Sequence, residues 1–350
     1  MIIVDIINIE TGGFMVNISD VAKRAGVSVA TVSRVINQNG YVSKETKERV
    51  QQVIEELNYT PNLIGKNFRR KKTDTVLVLM PTITNNYFSD IIGGIEGCAR
   101  KYGYKLILSS TGNEVERELG FLQYALNKLA DGAILIDSRT PADVLNSYLT
   151  KFPMVQCNEY RTECNAPIVT FDSFGAAQEI VNYLIKWGHR RIGLIASSIP
   201  YMASVNREKG YEKALSDNGI EYDKSLVVYC NYTFEQAKEV SRILLSRKDI
   251  DAIFCSGDIM AAAVKNAAYE MNIRIPEDIS IASVDNEPIS YMSAPTVTTI
   301  DLPRYQLGYE TMEVFVKSCD NAEKGRDVPV QNGIRYIPHE LIERASVGKK

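Results

Sequence analysis

The sequence predicts two kinds of unit in one chain: a small all-α headpiece built on a helix-turn-helix, and an α/β core of two parallel-sheet subdomains. Three observations predict this. Charge is segregated: residues 15–73 carry eleven basic and five acidic side chains, net +6, against −9 for the remainder of a chain whose total is −3. That basic stretch shows three short amphipathic helical periods. From residue 74 onward, short apolar strands alternate with amphipathic helices, the pattern of parallel sheets covered on both faces. The 350 residues suit two or three domains.

Composition removes several classes. The chain is 45% hydrophobic and 24% charged, an ordinary globular mixture. No apolar run reaches the roughly 18–20 residues needed to cross a bilayer. The cysteines at 98, 157, 164, 230, 255 and 319 are scattered, without a CxxC pair, and only His189 and His339 accompany them. No metal site is expected from this set, and free thiols suit a reducing compartment.

Residues 1–14, MIIVDIINIETGGF, lack the basic flank and small-residue cleavage site of an export signal. They read as a disordered leader or as translated upstream sequence. Met15 is then the expected start, with Gly12-Gly13 encoded by a ribosome-binding site.

The basic stretch from 15 to 60 resolves into three helices. Ser19 is read as the cap of the first, with Val21, Ala22 and Ala25 inward. Gly26 supplies a tight turn. Ser28 caps the second, whose Val32, Val35 and Ile36 face inward and which breaks at Asn37 to Gly40. A third runs from about Ser43 to Leu57, burying Val50, Val53, Ile54 and Leu57, and ends at Asn58 and Pro61. In a helix-turn-helix the second helix lies in the major groove. Val29 and Ala30 would then meet base edges, and Arg34 has the planar fork that pairs with guanine. Ser28, Thr31, Ser33 and Asn37 are short polar groups suited to phosphates. A three-helix packing unit with no nucleic acid partner fits the spacing as well.

ISDVAKRAGVSVATVSRVIN (18–37) and VSKETKERVQQVIEELNYTPN (42–62) resemble the headpiece of the lactose/galactose-repressor family of bacterial regulators. The resemblance extends over about residues 15–345, through LIKWGHRRIGLIA (184–196), SVNREKGYEKAL (204–215), AIFCSGDIMAAAV (252–264), PEDISIASVDN (276–286) and TVTTIDLPRYQLG (296–308). It implies a periplasmic-binding-protein-like core with a ligand cleft between its halves. It also implies a hinge at 61–73 that enters the DNA minor groove. There Gly65, Lys66 and Phe68 stand where the family usually has Ala, Arg and Leu. Phe68 would wedge between base pairs, and Lys66 and Arg69 would follow phosphates. Gly65 weakens an already short helix, so ordering must come from DNA and a partner hinge.

The core divides by this reading into 74–172 with 302–332, and 173–301 with 333–350. Elements expected in it include strand 76–80, a helix over 88–99, a helix burying Leu119, Leu122, Leu126 and Leu129, and a helix from Asn206. Carried over from the family, the cleft residues are Tyr87, Phe88, Asn158, Arg207, Tyr232 and Asp285. Arg207 and Asp285 suit a hydroxylated ligand, though they could also pair with each other. Gly257 and Ala282 replace the usual Asn and Gly. Trp187 is read as packing, and His189 as a helix C-terminal cap.

There is no GxGxxG after the first strand, no P-loop, no G-x-S-x-G and no metal spacing, so neither cofactor nor catalysis is expected. The resemblance implies a homodimeric, cytoplasmic and nucleoid-associated repressor of a pseudo-palindromic operator, controlled by a sugar or sugar derivative. A nucleoside-responsive or phosphoprotein-dependent regulator is the alternative within the family. A sugar sensor without DNA function is the alternative outside it.

Overall fold

The structure, a computed structural model, describes residues 16–59, 72–292, 294–324 and 333–350. The leader, and Lys66, Phe68 and Arg69 of the hinge, lie outside the described residues. The chain forms two units, meeting at Lys72 and Thr73.

The first unit is three helices: α1 (Ile18–Ala25), α2 (Val29–Asn37) and α3 (Lys44–Glu56). The cap of α1 is Asn17, not Ser19. The Asn17 side chain accepts from the amides of Ser19 (2.8 Å) and Asp20 (3.2 Å), while Asp20 accepts from the Asn17 amide at 2.9 Å. Asparagine with an acid three residues on makes this reciprocal box, which Ser19, two residues later and followed at that spacing by Ala22, has no partner to complete. Gly26 ends α1 at φ 65°, a conformation other residues adopt at a cost. Ser28 and Ser43 cap α2 and α3 through the amides of Thr31 and Thr46. Val21, Ala22, Ala25, Val32, Val35, Val50, Val53 and Tyr59 form the small core, with Ile36, Ile54 and Leu57 half-buried around it.

The second unit carries two six-stranded sheets. Its elements, in chain order, are β1 (Thr75–Met80), α4 (Asn86–Tyr102), β2 (Lys105–Ser110), α5 (Val115–Leu126), β3 (Gly132–Ile136), α6 (Ala142–Leu149), β4 (Met154–Cys157) and β5 (Ile168–Phe171). There follow α7 (Ser173–Lys186), β6 (Ile192–Ser197), α8 (Met202–Asp217), β7 (Val227–Cys230), α9 (Phe234–Leu245), β8 (Ala252–Cys255), α10 (Asp258–Glu270), β9 (Ser280–Asp285) and β10 (Thr298–Asp301). Last come α11 (Arg304–Glu323), β11 (Ile334–Ile337) and β12 (Glu340–Ile342). The first sheet is parallel, ordered β11-β5-β4-β3-β1-β2; in the second, β12-β10-β9-β8-β6-β7, only β12 runs antiparallel.

The chain passes between sheets after β5, after β10 and after β11. The last crossing therefore falls at Pro338, not at residue 333. Ile334–Ile337 pairs in register with Ile168–Phe171 and buries Ile337, which places it in the first half. Leu129 also departs from expectation: α5 stops at Leu126 and Leu129 is exposed beyond it. Helix α8 begins at Met202, four residues before Asn206.

Two glycines fix the N-terminal half. A Cβ on Gly94 of α4 would lie 1.9 Å from the Tyr305 carbonyl oxygen, and one on Gly308 of α11 would lie 1.9 Å from that of Ile91. The backbones of α4 and α11 touch there, and only glycine permits it. This contact sets the position of the α4 N-terminus, where Tyr87 and Phe88 sit. At the start of the unit, Thr73 donates through both its amide and hydroxyl to Asp131, at 2.6 and 2.8 Å, anchoring the chain that leaves the hinge segment.

Candidate functional site

In the headpiece, burial of Val32 and Val35 turns the opposite face of α2 to solvent. Val29, Ala30, Arg34 and Asn37 are exposed there, as is the cap Ser28. An exposed valine and alanine at the first turn of a helix, with an exposed arginine a turn further on, are a surface without purpose for folding. Ser28 and Thr31 share a hydroxyl–hydroxyl bond at 2.9 Å, and the Asn37 amide donates to the Ser33 carbonyl at 2.8 Å. These bonds pre-order short polar side chains without using up their remaining lone pairs.

The core holds a cavity of about 950 Å³ lined from both halves, within the usual range for small-molecule sites. Tyr87, Phe88, Asn158, Arg207, Tyr232 and Asp285, the six residues named from sequence, all line it. Most sit where parallel strands end, the usual ligand edge of such sheets. Arg207, on α8, donates to Asp285 at 2.9 Å and to the Ser256 carbonyl. So the pairing of Arg207 with Asp285 and their place in the cavity are both observed. Its Nε is buried without a protein partner among the described residues, as is the Ser256 hydroxyl. Tyr87 donates to Asn158 at 2.9 Å, and Asn158 donates in turn to Asp137 at 2.7 Å. Phe88 is core and wall at once, only 6% exposed.

Three residues outside the six carried over from the family complete the site. Asp137 accepts from Asn158 and from the Glu159 amide at 3.1 Å. Glu159, in the first half, accepts from the amides of Met202 (2.6 Å) and Ala203 (3.2 Å), closing the N-terminus of α8 in the second half. Tyr201 lies under the Arg139 guanidinium, 4.2 Å from its ring centroid. The backbone is strained here: Asp137, Asn158, Asp285 and Asn286 all have positive φ, at 54°, 68°, 114° and 52°. Asn and Asp tolerate that region best, and such residues gather at ligand sites.

Burial governs the electrostatics. Desolvation raises Asp137 to about 6 and, helped by the Asp137 charge, Glu159 to about 7. Asp258, at the start of α10, also reaches about 7, through desolvation and then the nearby Asp285. Asp285 is raised by burial against the pull of Arg207. Desolvation works against the Arg207 charge, but Asp285, Tyr232 and Tyr87 together more than offset it.

Gly257 does more than lose a polar contact. A Cβ there would come within 3.1 Å of the Tyr232 ring and 3.3 Å of Asp285, so the absent side chain is what lets Tyr232 lie against the wall. Trp187 packs on Tyr183, centroids 5.9 Å apart. The His189 amide does close α7, donating to the Leu184 carbonyl. Its ring has a different role, lying between the Gly348 carbonyl at 3.1 Å and Asp251 at 3.4 Å.

Residues 17–62 match the model of bacterial regulatory proteins of the lacI family, and residues 181–347 match a periplasmic binding protein-like domain. The HTH-type transcriptional repressor CytR of Escherichia coli strain K12 is 35% identical over 329 residues, 93% of this chain and 95% of that protein. A transcriptional regulator CelR–cellobiose complex matches with a TM-score of 0.70 at 28% identity, covering 95% of this chain and 99% of the other. A Lac repressor dimer bound to operator and an anti-inducer shares the fold, with a TM-score of 0.82 at 24% identity over 96% and 100% of the two chains. A headpiece and a core that each match, joined in the same order along nearly the whole of a related repressor, establish that the chain belongs to the lacI family and is a helix-turn-helix transcriptional regulator with an effector-binding core.

Proposed function

We propose that this regulator is a cytoplasmic, nucleoid-associated repressor acting as a homodimer on a pseudo-palindromic, double-stranded operator. The observation that carries the reading is the solvent-facing side of α2, where Val29, Ala30 and Arg34 are exposed opposite buried Val32 and Val35. Arg34 reads guanine, and Val29 and Ala30 meet apolar base edges such as a thymine methyl. Ser28, Thr31, Ser33 and Asn37 bind phosphates and fix register. Phe68, Lys66 and Arg69 serve the minor groove. A nine-residue helix reads few bases, so two copies supply the length of a specific site. The edge strand β2, with Leu108 45% exposed, and the neighbouring Tyr102 offer an apolar face for pairing.

The effector occupies the core cavity, touching Tyr87, Phe88, Asn158, Arg207, Tyr232 and Asp285. A sugar or nucleoside fits the mixture of ring faces and hydrogen-bonding groups, and a relative of this fold holds cellobiose. Because Glu159 and the Tyr87–Asn158–Asp137 chain lie where the halves meet, ligand binding changes how they close. Such a change alters operator affinity by the same factor as DNA alters effector affinity.

The Arg34→Ala variant tests the assignment by fluorescence anisotropy on selected operator and on random duplex. Operator affinity should fall by about 1–3 kcal/mol, while random-duplex affinity changes little. Equal losses on both duplexes would remove α2 from base reading.

A further inference from the structure

Residues 60–71 connect the headpiece to the core, and the core unit begins at Thr73. Any influence that the core exerts on the headpiece along the chain passes through this residue.

Three consecutive residues are pinned here. Thr73 donates through its amide and its hydroxyl to the same oxygen of Asp131, at 2.6 and 2.8 Å. The Thr75 hydroxyl turns back to the Thr73 carbonyl at 3.1 Å. The Asp74 carbonyl accepts from the Lys105 amide, and the Thr75 carbonyl from the Asp131 amide, both at 2.8 Å. Asp74 itself has φ 49°, a conformation that persists only where the surroundings hold it. Lys105 opens β2 and Asp131 immediately precedes β3, the two neighbours of β1, so the entry point is gripped from both sides.

The sheet does not require all of this. Strand β1 pairs from Thr75 with Lys105 and from Val76 with Gly132, and the two backbone bonds continue those ladders. The Asp131 side chain is additional to them, and it reaches a residue 58 positions away. Its second oxygen, Oδ2, is buried with no hydrogen-bond partner among the described residues. A buried acceptor left unpaired costs stability, so a carboxylate kept in that condition calls for a role beyond folding.

We propose that Asp131 is a positioning residue for operator binding: by clasping Thr73 it fixes the point and direction at which the chain leaves the core, and so sets the half-site spacing that the dimer accepts. This rests on the reading of the protein as a homodimer on a paired operator. The second headpiece of a dimer finds its half-site at an effective concentration set by the length and stiffness of its tether. Half-sites lie at a set separation, so tethers fixed at their roots favour one spacing over its neighbours. Releasing Thr73 lengthens each tether and frees its root, which spreads affinity over several spacings.

The test is fluorescence anisotropy of the full-length protein on a selected palindromic operator and on versions with base pairs added or removed at its centre. The wild type should favour the selected spacing. Asp131→Ala should reduce that preference at least threefold, losing affinity at the selected spacing and not at the others. Asp131→Asn keeps Oδ1 as acceptor for both Thr73 donors and should hold the preference near the wild-type value. Thr73→Val removes only the hydroxyl bond and should fall between the two. An unchanged preference in folded Asp131→Ala protein overturns the proposal. An equal loss at every spacing overturns it as well, since that is the result of a purely structural role. Circular-dichroism melting reports whether each variant folds. If Asp131→Ala does not, Thr73→Val carries the test, and an unchanged preference there overturns the proposal. A wild-type protein indifferent to spacing sinks the paired-operator reading itself, an outcome distinct from a wild-type preference that survives in the variants.

Discussion

Among the described residues, the side-chain hydrogen bonds within the reading helix span three or four residues of chain, as between Ser28 and Thr31 or Asn37 and Ser33. Those that tie Tyr87, Asp137, Asn158, Arg207 and Asp285 together in the cleft span from 21 residues, between Asn158 and Asp137, to 78, between Arg207 and Asp285. The headpiece thus presents its chemistry on the outside of a structure already complete without it. The cleft presents chemistry that is itself part of what holds two halves together. Substitutions at the first surface should separate binding from stability, and substitutions at the second should not.

The largest break is expected at Arg207. It and Asp285 are 4% and 7% exposed, so Arg207→Ala leaves a buried carboxylate without its charge partner. Losing one member of such a pair typically costs about 3–5 kcal/mol. Thermal denaturation should show that loss together with an abolished ligand response, while the headpiece still binds DNA. Adding Asp285→Ala should recover part of the stability without restoring the response. A single variant with wild-type melting would show that the cleft pair contributes nothing to the core.

Acidity offers a gentler test of the same contrast. Asp137, Glu159 and Asp258 are raised to about 6, about 7 and about 7, so the folded core holds their protons at a pH where the unfolded chain has released them. Their contribution is full below the ordinary carboxylate range and is lost as pH rises through about 6 to 7. The paired surface acids act in a lower window: Asp278, brought down to about 2 by Arg274, favours the fold until pH falls through that value. Melting temperature of the core should therefore decline as pH rises from about 4 to about 7, most steeply near pH 5 to 6, where the folded core still holds these protons and the unfolded chain has lost them, and level off above that. A flat profile across that interval would mean that these carboxyls are solvated in the folded state.

How far each region could be read in advance follows from the same difference in span. Helix periods, Ser28, Ser43 and the inward valines are local, so spacing alone located them. Even the misplaced cap was an error of two residues, where the reciprocal partner Asp20 was the deciding feature. The cleft was legible only where a resemblance supplied positions, as at Arg207 and Asp285. Asp137, Glu159 and Tyr201 sit on loops at strand ends, and nothing local distinguishes them from solvated loop residues. Glu159 acquires its role only when α8 arrives from the other half of the fold. The boundary at residue 333 failed for a related reason: four residues, Ile334–Ile337, decide the last crossing, and only their pairing with β5 assigns them.

The smallest expected effect sharpens the comparison most, because it isolates stability within the headpiece. Asn17 closes α1 from outside the reading surface, and its exchange of hydrogen bonds with Asp20 is confined to the first turn. Asn17→Ala should cost about 1 kcal/mol of headpiece stability, the usual loss for an N-cap. Since α1 supports α2 through Val21, Ala22 and Ala25, that loss should weaken binding to operator and to random duplex by the same factor. Base discrimination should not change, because no side chain that faces the groove is altered. The measurement is amide hydrogen exchange across residues 16–59 combined with anisotropy on the two duplexes. If discrimination falls with stability, the recognition helix depends on α1 for its geometry and the independence inferred from its short-range bonds is wrong. If stability falls alone, the reading surface and the scaffold beneath it are separable, as the span of their hydrogen bonds implies.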